Sequence, residues 1–387
     1  MGIPLTYNLR NLSVRRTTTA LTALGIGLTV AVLLAALALI SGLRAAFAST
    51  GSPRNLLVLR KGSTSELSST LTEETYRQVL YAPGIAAAGD GRPLVSLEIV
   101  TVITLPKPGS MSGQPITLRG LLPAGIEMRN LGLEEGRWFQ AGRRELVVGA
   151  SVARRCPAAR IGSQLRIGNS DWDVVGVMDA GASAVNSEVF ADLNQVAGNF
   201  NRREQFNSIL LRSDSETAVP GLVESLANDP RLNVTAQPER AYYARQTASG
   251  APLQNLGIMV ALIMSVGSSF AAMNTMYATV SRRSSEIGTL RVLGFTRSSI
   301  LFSFLIESVI LAGLGGLVGC LLVLPLNRVT TAVGNFTSMS ETAFRFHVGP
   351  EIMLAGVVFA VVIGAAGGFL PARMAAGKEI LTALRET

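Results

Sequence analysis

Residues able to do chemistry are few. The chain holds one histidine, His347, and two cysteines, Cys156 and Cys320. A single histidine excludes the His-Glu-x-x-His pair of a zinc protease, and standing alone it reads as structural rather than catalytic. Two cysteines exclude a disulfide-rich scaffold and a multi-cysteine zinc site. Nucleotide hydrolysis by a phosphate-binding loop needs Gly-x-x-x-x-Gly-Lys-Ser/Thr, whose backbone amides cradle the phosphates. The Gly-Lys pair here, Gly377-Lys378, is followed by Glu379. This chain therefore does not hydrolyse ATP by that route.

What remains is charge in unusual places. RRSSEIGTLRVLG, Arg282–Gly294, is charge-dense and helix-prone, yet lies between two segments apolar enough for lipid. Glu307 sits early in the second of those segments. A carboxylate in hydrocarbon is costly and faces protein or water. Glu307 thus reads as a relay or gate or, more simply, as an interfacial residue bonded to a neighbouring helix.

The elements that position these charges follow from composition. The 387 residues are 48% hydrophobic and 16% charged, against about 25% charged in a soluble domain. Charge-free runs locate the spans: 27 residues between Arg16 and Arg44, 36 between Arg245 and Arg282, 20 between Glu307 and Arg328, and 21 between Glu351 and Arg373. A helix needs about 20 apolar residues to cross the hydrocarbon, so transmembrane helices are expected over 18–43, 253–280, 300–324 and 352–371. The first run exceeds the roughly 7–15 residues of a secretory signal. It is read as uncleaved, although Ala46-Phe47-Ala48 resembles a cleavage site.

The net charge is +8, and the basic residues sit where they set topology. Arg10, Arg15 and Arg16 precede the first span; Arg282, Arg283, Arg291 and Arg297 separate the second and third; Arg373, Lys378 and Arg385 follow the fourth. The positive-inside rule places both termini and the 281–297 segment in the cytoplasm, and residues 44–250 and 325–350 outside. The basic residues are so accounted for without nucleic acid.

The outside segment reads as α+β. NLLVLR (55–60) and PLVSLEIVTVITL (93–105) read as strands, with alternation and β-branched residues, and FNSILLR (206–212) reads as another. LTEETYRQVLYAPG (71–84) and AVPGLVESLAND (218–229) read as helices, the first ending at Pro-Gly. ELVVG, SQLRIG and WDVVGVM make a β-rich middle at about 120–200. The expected fold is an α-helical membrane protein with four transmembrane helices and a large α+β extracytoplasmic domain inserted between helices 1 and 2.

In the 281–297 segment, Ile287, Leu290 and Leu293 recur three apart and fall within about a third of a helix circumference. Arg283, Glu286 and Arg291 lie outside or at the border of that stripe. Such a helix can rest on the bilayer or dock into a groove on a soluble partner, and periodicity leaves both open.

RRSSEIGTLRVLGFTRSSI resembles the loop of the FtsX/MacB-like permease family, the type VII ABC transporters. The match to its R-x-x-E-I-G-x-L-R-A-x-G-A pattern runs through Arg283, Glu286, Ile287, Gly288, Leu290, Arg291 and Gly294; Val292 and Phe295 stand where Ala is common. Further resemblances follow in order: NLRNLSVRRTTTALTALGIGLTVAVL, with its amphipathic helix over 1–17; LGLEEGRWF and ELVVGASVARR in the inserted, MacB-like periplasmic core; FLIESVILAGLGGLVG; and PARMAAGKEILTALR, in the tail 372–387, with Ile380 near the usual Pro. The family often has Glu at Glu307.

The resemblance implies a non-catalytic membrane subunit. Arg283, Glu286, Ile287, Gly288, Leu290, Arg291, Leu293 and Gly294 would form a coupling helix that touches a dimeric cytoplasmic ABC ATPase, a separate polypeptide that binds ATP and Mg. Motion from ATP binding would pass to the outside domain and drive export or extraction of a lipoprotein, peptide, lipid or antibiotic. A second permease copy, in a homo- or heterodimer, is implied, largely through the first spans, where Gly25 and Gly27 could serve. The glycines Gly315 and Gly319, and Gly364 and Gly368, have the i, i+4 spacing that lets helices approach closely, and read as packing within one subunit. The setting would be the bacterial inner membrane, among lipids, with a periplasmic adaptor and outer-membrane channel admitted as partners. Two other readings stand: a regulator of a cell-wall hydrolase on the same scaffold, and a receptor or scaffold that transports nothing. The β-rich middle favours the larger, MacB-like domain over the smaller division-type one.

Overall fold

A computed structural model describes residues 16–106, 113–181, 183–246, 251–335 and 339–378. Residues 1–15 of the amphipathic helix expected over 1–17, and most of the tail over 372–387, lie outside the described residues. The chain divides into two compact units, one of residues 1–41, 251–329 and 346–387, the other of residues 42–250 and 330–345.

The first unit is helical. α1 spans Arg16–Ala48. Four helical segments have membrane-spanning length and hydropathy: Thr19–Ala48, Gln254–Arg282, Arg297–Arg328 and Pro350–Gly377. At about 1.5 Å per residue each exceeds the roughly 30 Å hydrocarbon core. The first, third and fourth are longer than their charge-free runs, at 30, 32 and 28 residues against 27, 20 and 21, because a helix continues past the first flanking charge; the second, at 29 residues, is shorter than its run of 36. Ile26, Val30 and Leu34 of α1 pack with Ala312, Cys320 and Ala360 in the helical core.

The second unit is built on one ten-stranded sheet. Its chain order is β1 (Asn55–Arg60), α2 (Glu73–Leu80), β2 (Val95–Leu105), β3 (Gln114–Leu121), α3 (Pro123–Arg129), β4 (Gly132–Gly136), β5 (Glu145–Gly149), α4 (Ala150–Arg155), β6 (Gln164–Ile167), β7 (Ser170–Asp179), β8 (Glu188–Asp192), α5 (Leu193–Asn199), β9 (Ser208–Arg212), α6 (Val219–Asn228), β10 (Val234–Pro238) and α7 (Glu239–Gln246). The strands line up as β10-β1-β9-β2-β3-β8-β5-β7-β4, with β6 on β7. Only β3–β8 and β5–β7 pair in parallel among them. The two outer strand–helix groups and the β-rich middle thus share one sheet, closed over a core that includes Trp172, Ile99, Ile116 and Leu118. α2 starts where Thr72 caps the Thr75 amide, which satisfies one of the amides a helix start leaves unpaired.

The remaining elements are α8 (Ala251–Arg282), α9 (Ser284–Val292), α10 (Arg297–Val323), β11 (Thr330–Asn335), β12 (Ser340–Arg345) and α11 (Pro350–Gly377). β11 and β12 form an antiparallel hairpin within the stretch expected as a plain loop. The hairpin belongs to the sheet unit. Ser340 and Thr117 share a 2.7 Å hydroxyl hydrogen bond, the Ala343 amide donates to Ser187 Oγ at 2.8 Å, and Arg155 pairs with Glu341 at 2.9 Å.

Candidate functional site

α9 is a nine-residue helix held at its start and open at its end. Arg283, at the N-cap, is buried, and its guanidinium is used three ways. Nη1 donates to Glu307 Oε2 at 3.0 Å, Nε donates to Glu286 Oε2 at 2.9 Å, and the group lies 5.0 Å above the Phe304 ring. Glu307 on α10 is as buried as Arg283, while the Glu286 side chain stays half exposed. A buried carboxylate is tolerated when charge and hydrogen bonds compensate it, and Arg283 supplies both. Lys378, just past α11, donates to Ser284 Oγ at 2.8 Å. The first turn of α9 is thereby tied to α10 and to the end of α11.

Ile287 is 1% exposed and packs with Met276, Val280, Ile300, Phe304, Ala372 and Ala375. Gly288 is buried beside it and Leu290 is half-buried. Leu293, grouped with these by spacing, is 68% exposed, and Val292 is 63% exposed. The three-residue stripe is therefore not one surface: its first member is spent inside the chain and its last faces out, joined by a neighbour outside the stripe. The reason is that α9 is short and lies against helices on the Ile287 side only. Gly294, at φ +92°, ends the helix; its amide donates to Arg291 O, and the Phe295 amide donates to Leu290 O. A left-handed residue at this position favours glycine. Arg291 donates to Phe295 O at 3.4 Å.

The four glycines sit at close helix crossings. A Cβ on Gly315 would come within 2.9 Å of the Ala23 carbonyl and of Ile26, and one on Gly319 within 2.8 Å of the Gly27 carbonyl and of Val30. Both therefore face α1. A Cβ on Gly364 would run into Ala312 and, at 2.9 Å, the Ser308 carbonyl, and one on Gly368 into the Ser308 side chain. Gly27 meets the Gly315 carbonyl, whereas Gly25 has open space around it.

One constellation carries no motif in the sequence. In the sheet unit Arg119 bonds Glu66, Glu98 and Glu188 at 2.6–2.8 Å, and Arg129 bonds Glu98 at 2.6 Å. Arg129 also lies 3.6 Å from Glu239. All but Glu188 are at most 6% exposed at the side chain. Burial pushes the Glu66 carboxyl up, but the Arg119 charge and its hydrogen bonds outweigh this and hold it below the usual carboxylate value. The signal was available: Glu98 and Arg119 interrupt apolar strands, and the register sets Arg119 opposite Val100, two residues from Glu98 on the same face.

Four helices of membrane length, a sheet domain inserted after the first, and a short charged helix between the second and third make the architecture of a multi-pass membrane protein. The model of the MacB-like periplasmic core domain matches residues 19–229, and that of the FtsX-like permease C-terminal region matches residues 258–380. The chain belongs to the FtsX/MacB-like ABC transporter permease family, and that family implies an ATPase partner. Among relatives, the uncharacterized ABC transporter permease YknZ of Bacillus subtilis is 25% identical over 285 residues, 70% of each chain. The macrolide export ATP-binding/permease protein MacB of Agrobacterium fabrum is 28% identical over 279 residues, 67% of this chain and 42% of its own. This chain thus spans under half of that relative. Among solved structures, the extracellular domain of YknZ aligns at 16% identity and TM-score 0.36 over 47% of this chain and 99% of that domain. The periplasmic region of MacB from Actinobacillus actinomycetemcomitans aligns at 14% identity and TM-score 0.37 over 52% and 94%.

Proposed function

We propose that this chain is the permease subunit that receives ATP-driven motion from a separate cytoplasmic ATPase dimer through α9 and passes it to the inserted domain outside the inner membrane. The observation that carries this reading is the division of α9: an N-terminal turn fastened by Arg283–Glu307 and an apolar end, Val292–Leu293, that its own chain leaves uncovered. A docking element has to be rigidly joined to the helices it moves while offering apolar area to its partner, and α9 meets both demands. Arg283 and Glu307 are positioning residues in this account, and Glu286 is the charge at the moving contact. The substrate is a lipoprotein, peptide, lipid or antibiotic taken from the outer leaflet or the space beyond it.

The test is assembly and hydrolysis. The purified chain alone should show no specific ATPase activity. With its ATPase it should form a complex of two copies of each subunit that hydrolyses ATP. Hydrolysis by the lone chain, or failure of the ATPase to bind, contradicts the reading.

A further inference from the structure

The sheet unit contains a polar cavity of about 370 Å³. Its wall joins two stretches far apart in sequence: the turn after α1, at Gly51 and Ser52, and the start of α7, at Glu239 and Arg240. Three arginines line it, Arg129, Arg212 and Arg240, against two carboxylates, Glu239 and Asp179.

These charges are not equally compensated. Arg129 is held by both oxygens of Glu98, at 2.6 and 2.9 Å. Asp179 accepts from the Gly181 amide and from Asn186 Nδ2. Glu239 Oε2 accepts from Asn55 Nδ2 at 2.9 Å and from the Ser52 amide at 3.2 Å. Arg212 and Arg240 have neutral partners only. Arg212 donates to Asn55 Oδ1 and to the Met128 carbonyl, and Arg240 donates to the Gly51 carbonyl. Neither pairs with a carboxylate among the described residues.

A second observation points the same way. Glu239 Oε1 and Arg129 Nε are buried at the cavity wall and make no hydrogen bond, although they face each other at 3.6 Å. The Glu239 and Arg129 side chains are 1% and 3% exposed. Buried polar groups are normally satisfied, so this wall is polar beyond what its own hydrogen bonds use. Burial and the neighbouring Arg54 charge both disfavour the protonated Arg212 guanidinium, and an anion in the cavity would relieve that cost.

We propose that this cavity binds a phosphate-bearing anion through Arg212 and Arg240. A guanidinium presents its donors as a planar fork that matches the oxygens of a phosphate, and the volume lies within the range of small-molecule pockets. The phosphate can belong to a free phosphate ester or to a lipid headgroup. Either would bridge the stretch that leaves α1 to the helix that precedes α8, and would stiffen the two connectors of the domain together.

The experiment uses the full chain in neutral detergent at constant ionic strength, with chloride as the balancing anion. Inorganic phosphate and glycerol 3-phosphate are titrated while thermal unfolding and binding heat are followed. A second arm places the chain in nanodiscs with and without phosphatidylglycerol. Saturable stabilisation by either soluble phosphate assigns the site to a free ester. Stabilisation by phosphatidylglycerol alone assigns it to a lipid headgroup. Loss of one charged donor should weaken binding roughly tenfold or more, both in Arg212→Gln and in Arg240→Gln. Arg240 is exposed, so its replacement should fold normally even if Arg212→Gln does not. Absence of stabilisation in both arms, or binding by Arg240→Gln equal to wild type, overturns the proposal.

Discussion

Replacing Val292 and Leu293 together with Asp should detach the ATPase while leaving the permease folded. The side chains are 63% and 68% exposed, so their contribution to the chain's own packing is small. Full burial of one such side chain is worth about 1.5–3 kcal/mol. About two thirds of each remains to be covered by a partner, so the pair should supply roughly 2–4 kcal/mol of docking energy. At about 1.4 kcal/mol per tenfold, affinity should fall roughly 30- to 700-fold, before the added cost of burying two carboxylates. The assay is titration of the purified ATPase onto the detergent-solubilised chain, with thermal unfolding of the permease run in parallel. Unfolding should be unchanged. Affinity within about threefold of wild type would refute the reasoning, because ~0.65 kcal/mol is too little for a buried apolar contact.

Three further outcomes are expected. Removing Glu307 alone, as Glu307→Leu, should destabilise the helical unit by several kcal/mol, since a buried Arg283 loses its buried carboxylate partner while Glu286 is half exposed; Arg283→Met/Glu307→Leu should recover much of this in thermal unfolding yet uncouple ATP hydrolysis from transport. In a chain lacking Cys156 and Cys320, a cysteine replacing exposed Thr64 should react with an impermeant thiol reagent in spheroplasts, and one replacing exposed Thr289 should not; the reverse pattern would invert the topology. Glu66 has a folded-state pKa depressed below the ordinary 4.5, so its contribution to stability is present above about that pH and is lost as the pH falls through the folded value. Acid unfolding of the sheet unit, followed by near-UV circular dichroism, should therefore begin below about pH 4.5 and be shallower in Glu66→Gln.

The spans were legible because hydrocarbon leaves no choice: an uncharged run of the right length must be a helix with its backbone satisfied internally. Strands such as NLLVLR and FNSILLR were legible because they are short apolar runs bounded by turn-forming residues, and the structure buries them on successive positions. The union of β1 through β10 into one sheet was not, since pairing between strands far apart in sequence leaves no local mark. The β11–β12 hairpin was hidden for a related reason: six-residue strands with Thr, Ser, Gly and Asn look like a loop until Ser340 and Ala343 meet Thr117 and Ser187. At the site, Glu307 stands out in the sequence as an anomaly, but its partner Arg283 lies 24 residues away and falls within the pattern of the docking loop. Burial separated the two roles, turning Arg283 and Ile287 inward and leaving Val292 and Leu293 outside. Helical periodicity gives a direction around an axis and says nothing of which direction the rest of the chain occupies.

The most direct test of α9 as the ATPase-docking element is site-specific photocrosslinking in intact membranes that contain the assembled transporter. A photoreactive amino acid at position 293 should crosslink to the ATPase subunit, and one at position 317, an exposed leucine within α10, should crosslink to lipid only. Crosslinks from position 293 to lipid alone, with the ATPase present and active, would contradict the account.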